Sequence, residues 1–120
     1  MIMLDTNMIL RYLLNDNESM SETAKKYLRV GDVWITLEVA AELVYVLNGV
    51  YKLERQEITE KIIQFLELTE CRDIEVLQLA LHTYAIQNLD FVDCILYAYN
   101  EVKGIEIATF DKKLLRLLAD

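Results

Sequence analysis

Apolar positions along this chain recur with a changing period, and the changes mark out a series of short elements. Ile2-Met3-Leu4 is an apolar run that suits a buried strand ending at Asp5. Residues 7–14 follow as a short helix. Ser19 or Ser21 is placed to cap a second helix that runs to Val30 and stops at Gly31. Val33-Trp34-Ile35 reads as a second strand, after which Thr36 caps a helix through Leu47, closed by Asn48-Gly49. Over residues 55–68 the apolar positions Ile58, Ile62, Phe65 and Leu66 repeat at helical spacing. Ile74, Val76 and Leu77 read as a short strand or an extended link, and a helix follows to Asn88. Asp90 caps a helix over 91–103 that ends at Lys103-Gly104. Ile105, Ile107 and Ala108 read as a last strand, and residues 111–118 as a last helix.

Strands alternating with helices predict an α/β fold with a mainly parallel sheet covered by helices on both faces. The 120 residues fit one domain spanning 1–120, and 54% apolar residues supply a core at that length. The chain has no Pro and only three Gly, so no linker or low-complexity segment interrupts it. No apolar run approaches a membrane span, and the first residues lack the basic start and cleavage site of a signal peptide. A cytoplasmic location is therefore expected. Cys71 and Cys94 lack metal-ligand spacing and read as two buried thiols. A net charge of −8 speaks against simple phosphate binding, unless clustered carboxylates take up a cation that reverses the local field.

In open parallel sheets ligands bind beyond the carboxyl ends of the strands. Asp5 and Asp111 both follow expected strands. Each also has an ordinary reading as a helix N-cap. Glu42 shares a narrow polar stripe with Glu38 and Tyr45 on an otherwise apolar helix. Such a stripe is commonly solvated, but its packed flanks predict that Glu42 faces a crevice. Asp90 and Asp93 have the spacing of a cap and its partner three residues on, yet they open an apolar helix that should be central. His82 reads as a surface or structural residue. Neither a nucleophilic triad nor a Gly-rich phosphate loop is present.

Four segments carry a more specific signal in combination. They are Leu4-Asp5-Thr6-Asn7, Ala41-Glu42-Leu43-Val44, Leu89-Asp90-Phe91-Val92-Asp93-Cys94 and Ala108-Thr109-Phe110-Asp111-Lys112-Lys113. In order, spacing and context they resemble the PIN domain over essentially the whole chain, and most closely the VapC-type toxins of toxin–antitoxin pairs. Cys94 stands where that family often has Ala.

The resemblance implies a PIN-like three-layer sandwich. It also implies an acidic site of Asp5, Glu42, Asp93 and Asp111, lined by Asn7 and Thr109 with Asp90 as a companion. Four clustered carboxylates stay ionised together only with a cation among them, and Mg²⁺ or Mn²⁺ prefers such oxygen ligands. The expected chemistry is cleavage of RNA by metal-activated water. Asp5, Asp93 and Asp111 would hold metal, with Glu42 ligating or orienting the water. Arg11, Lys112, Lys113 and Arg116 offer positive charge for the RNA backbone, or serve only as soluble helix surface. The family further implies a homodimer and a small antitoxin partner. Helix 55–68 and the region Tyr45 to Tyr51 are the expected sources of apolar interface.

Two other classes compete. A phosphatase with an acid after its first strand wants a second acid two residues on, where this chain has Asn7. A non-catalytic module of the same fold, binding RNA or protein, has no need of four acids.

Overall fold

Strands too short to stand alone are held between helices in the computed structural model, which describes residues 1–120. β1 (Ile2–Met3) leads into α1 (Thr6–Leu14) and α2 (Glu18–Val30), then β2 (Val33–Ile35), α3 (Leu37–Gly49) and α4 (Arg55–Phe65). β3 (Glu70–Cys71), α5 (Ile74–Ile86), α6 (Phe91–Lys103) and α7 (Lys112–Ala119) follow. The three strands lie in the order β1-β2-β3, and both pairs are parallel. Met3 stands opposite Trp34, and Ile35 opposite Cys71. Parallel neighbours need a crossover, and the intervening helices provide it. Seven helices and a parallel sheet make this the expected α/β class.

The core lies mostly between helices. Leu43 and Leu47 of α3, Ile58 and Ile62 of α4, Val76, Leu77 and Leu81 of α5, and Cys94 and Ala98 of α6 are all fully buried in one cluster. Polar groups inside it are satisfied where they occur: the buried Thr59 hydroxyl donates to Leu81 O at 2.9 Å. Tyr12 of α1 packs on Phe65 with ring centroids 5.6 Å apart.

Several expected elements change. The segment Ile74, Val76, Leu77 is not a strand or link but the first turn of α5; the third strand is Glu70–Cys71. Asp73, at φ 59°, turns the chain just before it. Val76, Leu77, Ala80 and Leu81 then bury one helical face, which outweighs the β-branched start. The expected strand over Ile105, Ile107 and Ala108 also does not form. Gly104 ends α6 at φ 67°, and residues 105–110 make no main-chain hydrogen bonds with other main-chain groups. Their alternation signals a face to bury, whereas a strand also needs a paired edge. α2 is capped by Asn17, whose Oδ1 accepts from Met20 N at 3.0 Å, and not by Ser19 or Ser21. Ser21 is buried and donates to Arg11 O at 2.7 Å. The helix expected over 55–68 stops at Phe65, and the one expected to reach Asn88 stops at Ile86. α4 turns Ile58, Ile62 and Phe65 inward, which leaves the half-buried Ile63 and, beyond its end, the exposed Leu68 as the apolar side chains of this region at the surface.

Candidate functional site

Burial of Leu43, Val44 and Leu47 orients α3 and leaves Glu42 and Tyr45 on its outer side. Burial of Phe91, Cys94 and Ala98 orients α6 in the same way and leaves Asp90 and Asp93 at its entrance. Where α3 and α6 meet, a cleft of about 830 Å³ opens. Glu42, Tyr45, Arg55, Asp90, Val92 and Asp93 are among the residues lining it. Glu42 thus borders a crevice while remaining exposed.

Asp90 sits at the capping position of α6, yet its side chain makes no capping hydrogen bond. Its carboxylate remains available to the cleft. Asp5 and Asp111 do act as caps. Asp5 Oδ1 accepts from Met8 N at 2.9 Å, and Asp111 Oδ1 accepts from Leu114 N at 2.8 Å. A cap uses one lone pair of one oxygen and leaves other acceptor positions free. Thr109 Oγ1 accepts from Asp111 N at 3.0 Å and so fixes the turn that carries this acid. Asn7 is exposed on the first turn of α1 beside Asp5.

Burial pushes the Asp93 carboxyl above its ordinary range, and the charges of Asp111 and Asp90 push it further the same way. Asp93, Asp90 and Asp111 therefore form one repelling group. Cys94, directly after Asp93 and fully buried, has its thiol pushed up to about 12, chiefly by burial. It is packing material rather than a nucleophile. Cys71 is likewise a buried free thiol, and His82 is exposed.

The expected acids are not all drawn together. Glu42 and Asp93 share the cleft with Asp90, and Asp111 lies within electrostatic reach of Asp93. Asp5 lies outside the cleft lining. No three His, Cys, Asp or Glu side chains stand close enough to hold one ion. A hard cation still suits what is present. Mg²⁺ binds through as few as one or two carboxylates and keeps its waters, and Asp111 and Asp90 both add negative charge around the partly desolvated Asp93.

The basic residues distribute differently from expectation. Arg11 donates to Asp16 Oδ1 at 2.8 Å and to Tyr51 Oη at 3.1 Å, with its side chain only 16% exposed. It fastens α1 to the loop after α3 and is not offered to a ligand. Lys113 and Arg116 line a separate groove with Gln87 and Asn88, while Lys112 is exposed at the start of α7. The cation in the cleft is Arg55, which the sequence reading missed. Its one local sign is an arginine opening a helix, where the dipole disfavours positive charge.

No curated protein and no solved structure matches this chain. A family model described as PIN domain matches residues 2–118. With that span matched, the chain belongs to the PIN domain family, whose members are generally nucleases.

Proposed function

We propose that this protein is a metal-dependent endoribonuclease and the toxin of a type II toxin–antitoxin pair, acting in the cytoplasm. The observation that carries the catalytic reading is the cleft, where Glu42 of α3 faces the α6 entrance bearing Asp90 and Asp93, with Asp111 within electrostatic reach of Asp93. Mg²⁺ or Mn²⁺ held by Asp93 and Asp111, with Glu42 and Asp5 reaching it only through its waters, would acidify a bound water and polarise the phosphodiester. Glu42, across the cleft on α3, would accept a hydrogen bond from that water and orient it. Asp90 adds negative charge that draws the cation in. Lys112, Lys113 and Arg116 lie on α7 beside Asp111, outside the cleft, where they would neutralise phosphates of RNA running along the neighbouring groove.

The test is cleavage of RNA by the purified protein during titration with Mn²⁺ and with chelator, paired with thermal melts. Cleavage should require the cation. Mn²⁺ at a hundred times its Kd should stabilise the fold by about 2.7 kcal/mol, because it binds the native state alone. Melting curves that coincide with and without millimolar Mn²⁺ would remove the metal site. A second reading, an RNA-binding module that does not cut, draws on the spacing of the acids, since no three are grouped. In the same assay it gives retention of RNA without cleavage.

For partners, a homodimer and a small antitoxin protein are the reading we favour. Tyr45 is 81% and Val92 60% exposed, and both line the cleft; Val50 and Tyr51 at the end of α3 extend this apolar surface. An antitoxin covering the cleft, or placing an Arg among its carboxylates, would silence it. No helix is long and apolar enough to cross a membrane. Light scattering should give a dimeric mass, and purification from the native operon should bring down a small companion. A strict monomer without companion at high concentration overturns this part and leaves the nuclease reading intact.

A further inference from the structure

Arg55 is the most heavily engaged side chain outside the expected site. Its Nη1 lies within hydrogen-bonding distance of three main-chain carbonyls: Tyr84 O at 3.1 Å, Gln87 O at 2.9 Å and Leu89 O at 2.7 Å. The guanidinium carbon sits 4.1 Å from the centroid of the Tyr84 ring. The Tyr84 carbonyl belongs to the last turn of α5, where helix carbonyls lack intrahelical donors. Gln87 and Leu89 belong to the turn that leads into Asp90. One guanidinium thus closes the end of α5 and fastens the connection to α6. The Tyr84 ring, beneath the guanidinium, meets Phe91 edge-on, with centroids 5.7 Å apart and planes at 85°. Phe91 is the first residue of α6, between Asp90 and Asp93 in sequence. The chain of contact therefore runs from Arg55 through Tyr84 to the turn of α6 that carries both acids. Arg55 also borders the cleft itself and is its single cationic residue among 13 lining residues.

We propose that Arg55 is a positioning residue of the acidic cleft, pinning the α5–α6 turn so that Asp90 and Asp93 are held toward Glu42. This rests on reading the cleft as a cation site. Arg55 touches neither the cation nor the RNA; it acts through the main chain. The planar guanidinium is suited to this because it stacks on Tyr84 while its edge donates to the carbonyls. Lysine keeps the charge but loses the plane.

The experiment measures Mn²⁺ affinity by loss of the free-ion EPR signal, well below the melting temperature, for the parent, Arg55→Lys and Arg55→Met. Backbone amide NMR shifts of residues 88–94 are recorded without metal. Arg55→Lys should weaken Mn²⁺ binding by about tenfold, in the range seen when a ligand's outer support is lost, and should move the 88–94 amides while those of α1 stay in place. Because the net charge is unchanged, a Coulombic cause is excluded. Were Arg55 only a charge in the cleft, Arg55→Lys would match the parent and Arg55→Met would bind Mn²⁺ more tightly. Were it only a stabilising clamp, both variants would melt lower with Mn²⁺ affinity unchanged. Either outcome overturns the proposal. If Arg55→Met does not fold, Arg55→Lys decides alone. A parent that binds no Mn²⁺ removes the cation-site reading. The metal-free amide shifts then still decide whether Arg55 sets the α6 turn, and unmoved shifts in Arg55→Lys overturn it.

Discussion

Asp93→Asn is expected to lose RNA cleavage by on the order of 10²–10³-fold, the loss typical when one preorganised charge-stabilising group is removed, and yet to melt at a higher temperature than the parent at pH 7 without metal. The two effects share a cause. Asp93 is ionised at a place where burial, Asp111 and Asp90 all oppose its charge, so its folded pKa lies above the ordinary 3.8. Between that value and the raised one, the native state binds more proton than the unfolded chain. Stability therefore falls as pH rises through this window and stays lower above it. Asparagine keeps the shape and carries no such charge, so its advantage is complete at pH 7 and disappears below the window. Melts at pH 7 and pH 3 check this, and equal melting temperatures at pH 7 would contradict the repulsion inferred among the three acids. Adding Mn²⁺ should lift the parent far more than the variant, since the cation supplies the counter-charge that the variant no longer needs.

Leu77→Ala is expected to destabilise the fold by about 2–5 kcal/mol, the usual range for a buried leucine in a tight core. Leu77 is 0% exposed on α5, within the cluster that α4 and α6 also build. In an exposed link the same change would cost within about 0.5 kcal/mol. Ile105→Ala is the matched control, because Ile105 is 48% exposed on the unpaired segment after α6. Its expected cost is within about 0.5 kcal/mol, whereas in a core strand it would approach that of Leu77. Urea denaturation with m-values compared across the three proteins measures both.

These two residues also show where the sequence was legible and where it was not. α1, α3 and α6 were readable because each combines helical spacing with an end signal, such as the Thr36 hydroxyl that accepts from Val39 N at 3.1 Å. Short apolar groups carry no such redundancy. Ile74-Glu75-Val76 and Ile105-Glu106-Ile107 share one alternating pattern, but the first belongs to a helix and the second to no element. What separates them is the following residues: Leu77, Ala80 and Leu81 continue a helical face, while Ala108-Thr109-Phe110 continue none. The acids were nameable as a set of motifs, but their spacing in the fold depends on how α3, α6 and α7 pack, which local pattern does not encode. Arg55 was invisible for a different reason. Its partners are main-chain carbonyls 29, 32 and 34 residues away, and a main-chain acceptor leaves no trace in residue type.

The unpaired stretch over 105–110 gives Asp111 a different standing from the other acids. Beyond it α7 is anchored by Leu114, its one fully buried residue, with Leu117 partly buried alongside. Glu42 and Asp93 sit on helices that build the main core cluster, whereas Leu114 of α7 lies outside that cluster. Burial of about one leucine is worth ~1.5–3 kcal/mol, far less than the ~5–15 kcal/mol that holds a typical domain. α7 is therefore expected to stand undocked in a small minority of molecules, with its amide protons exchanging by that local route faster than those of α5 and α6. A ligand that bridges Asp93 and Asp111 draws down this minority, so occupancy of the cleft and order in α7 rise together.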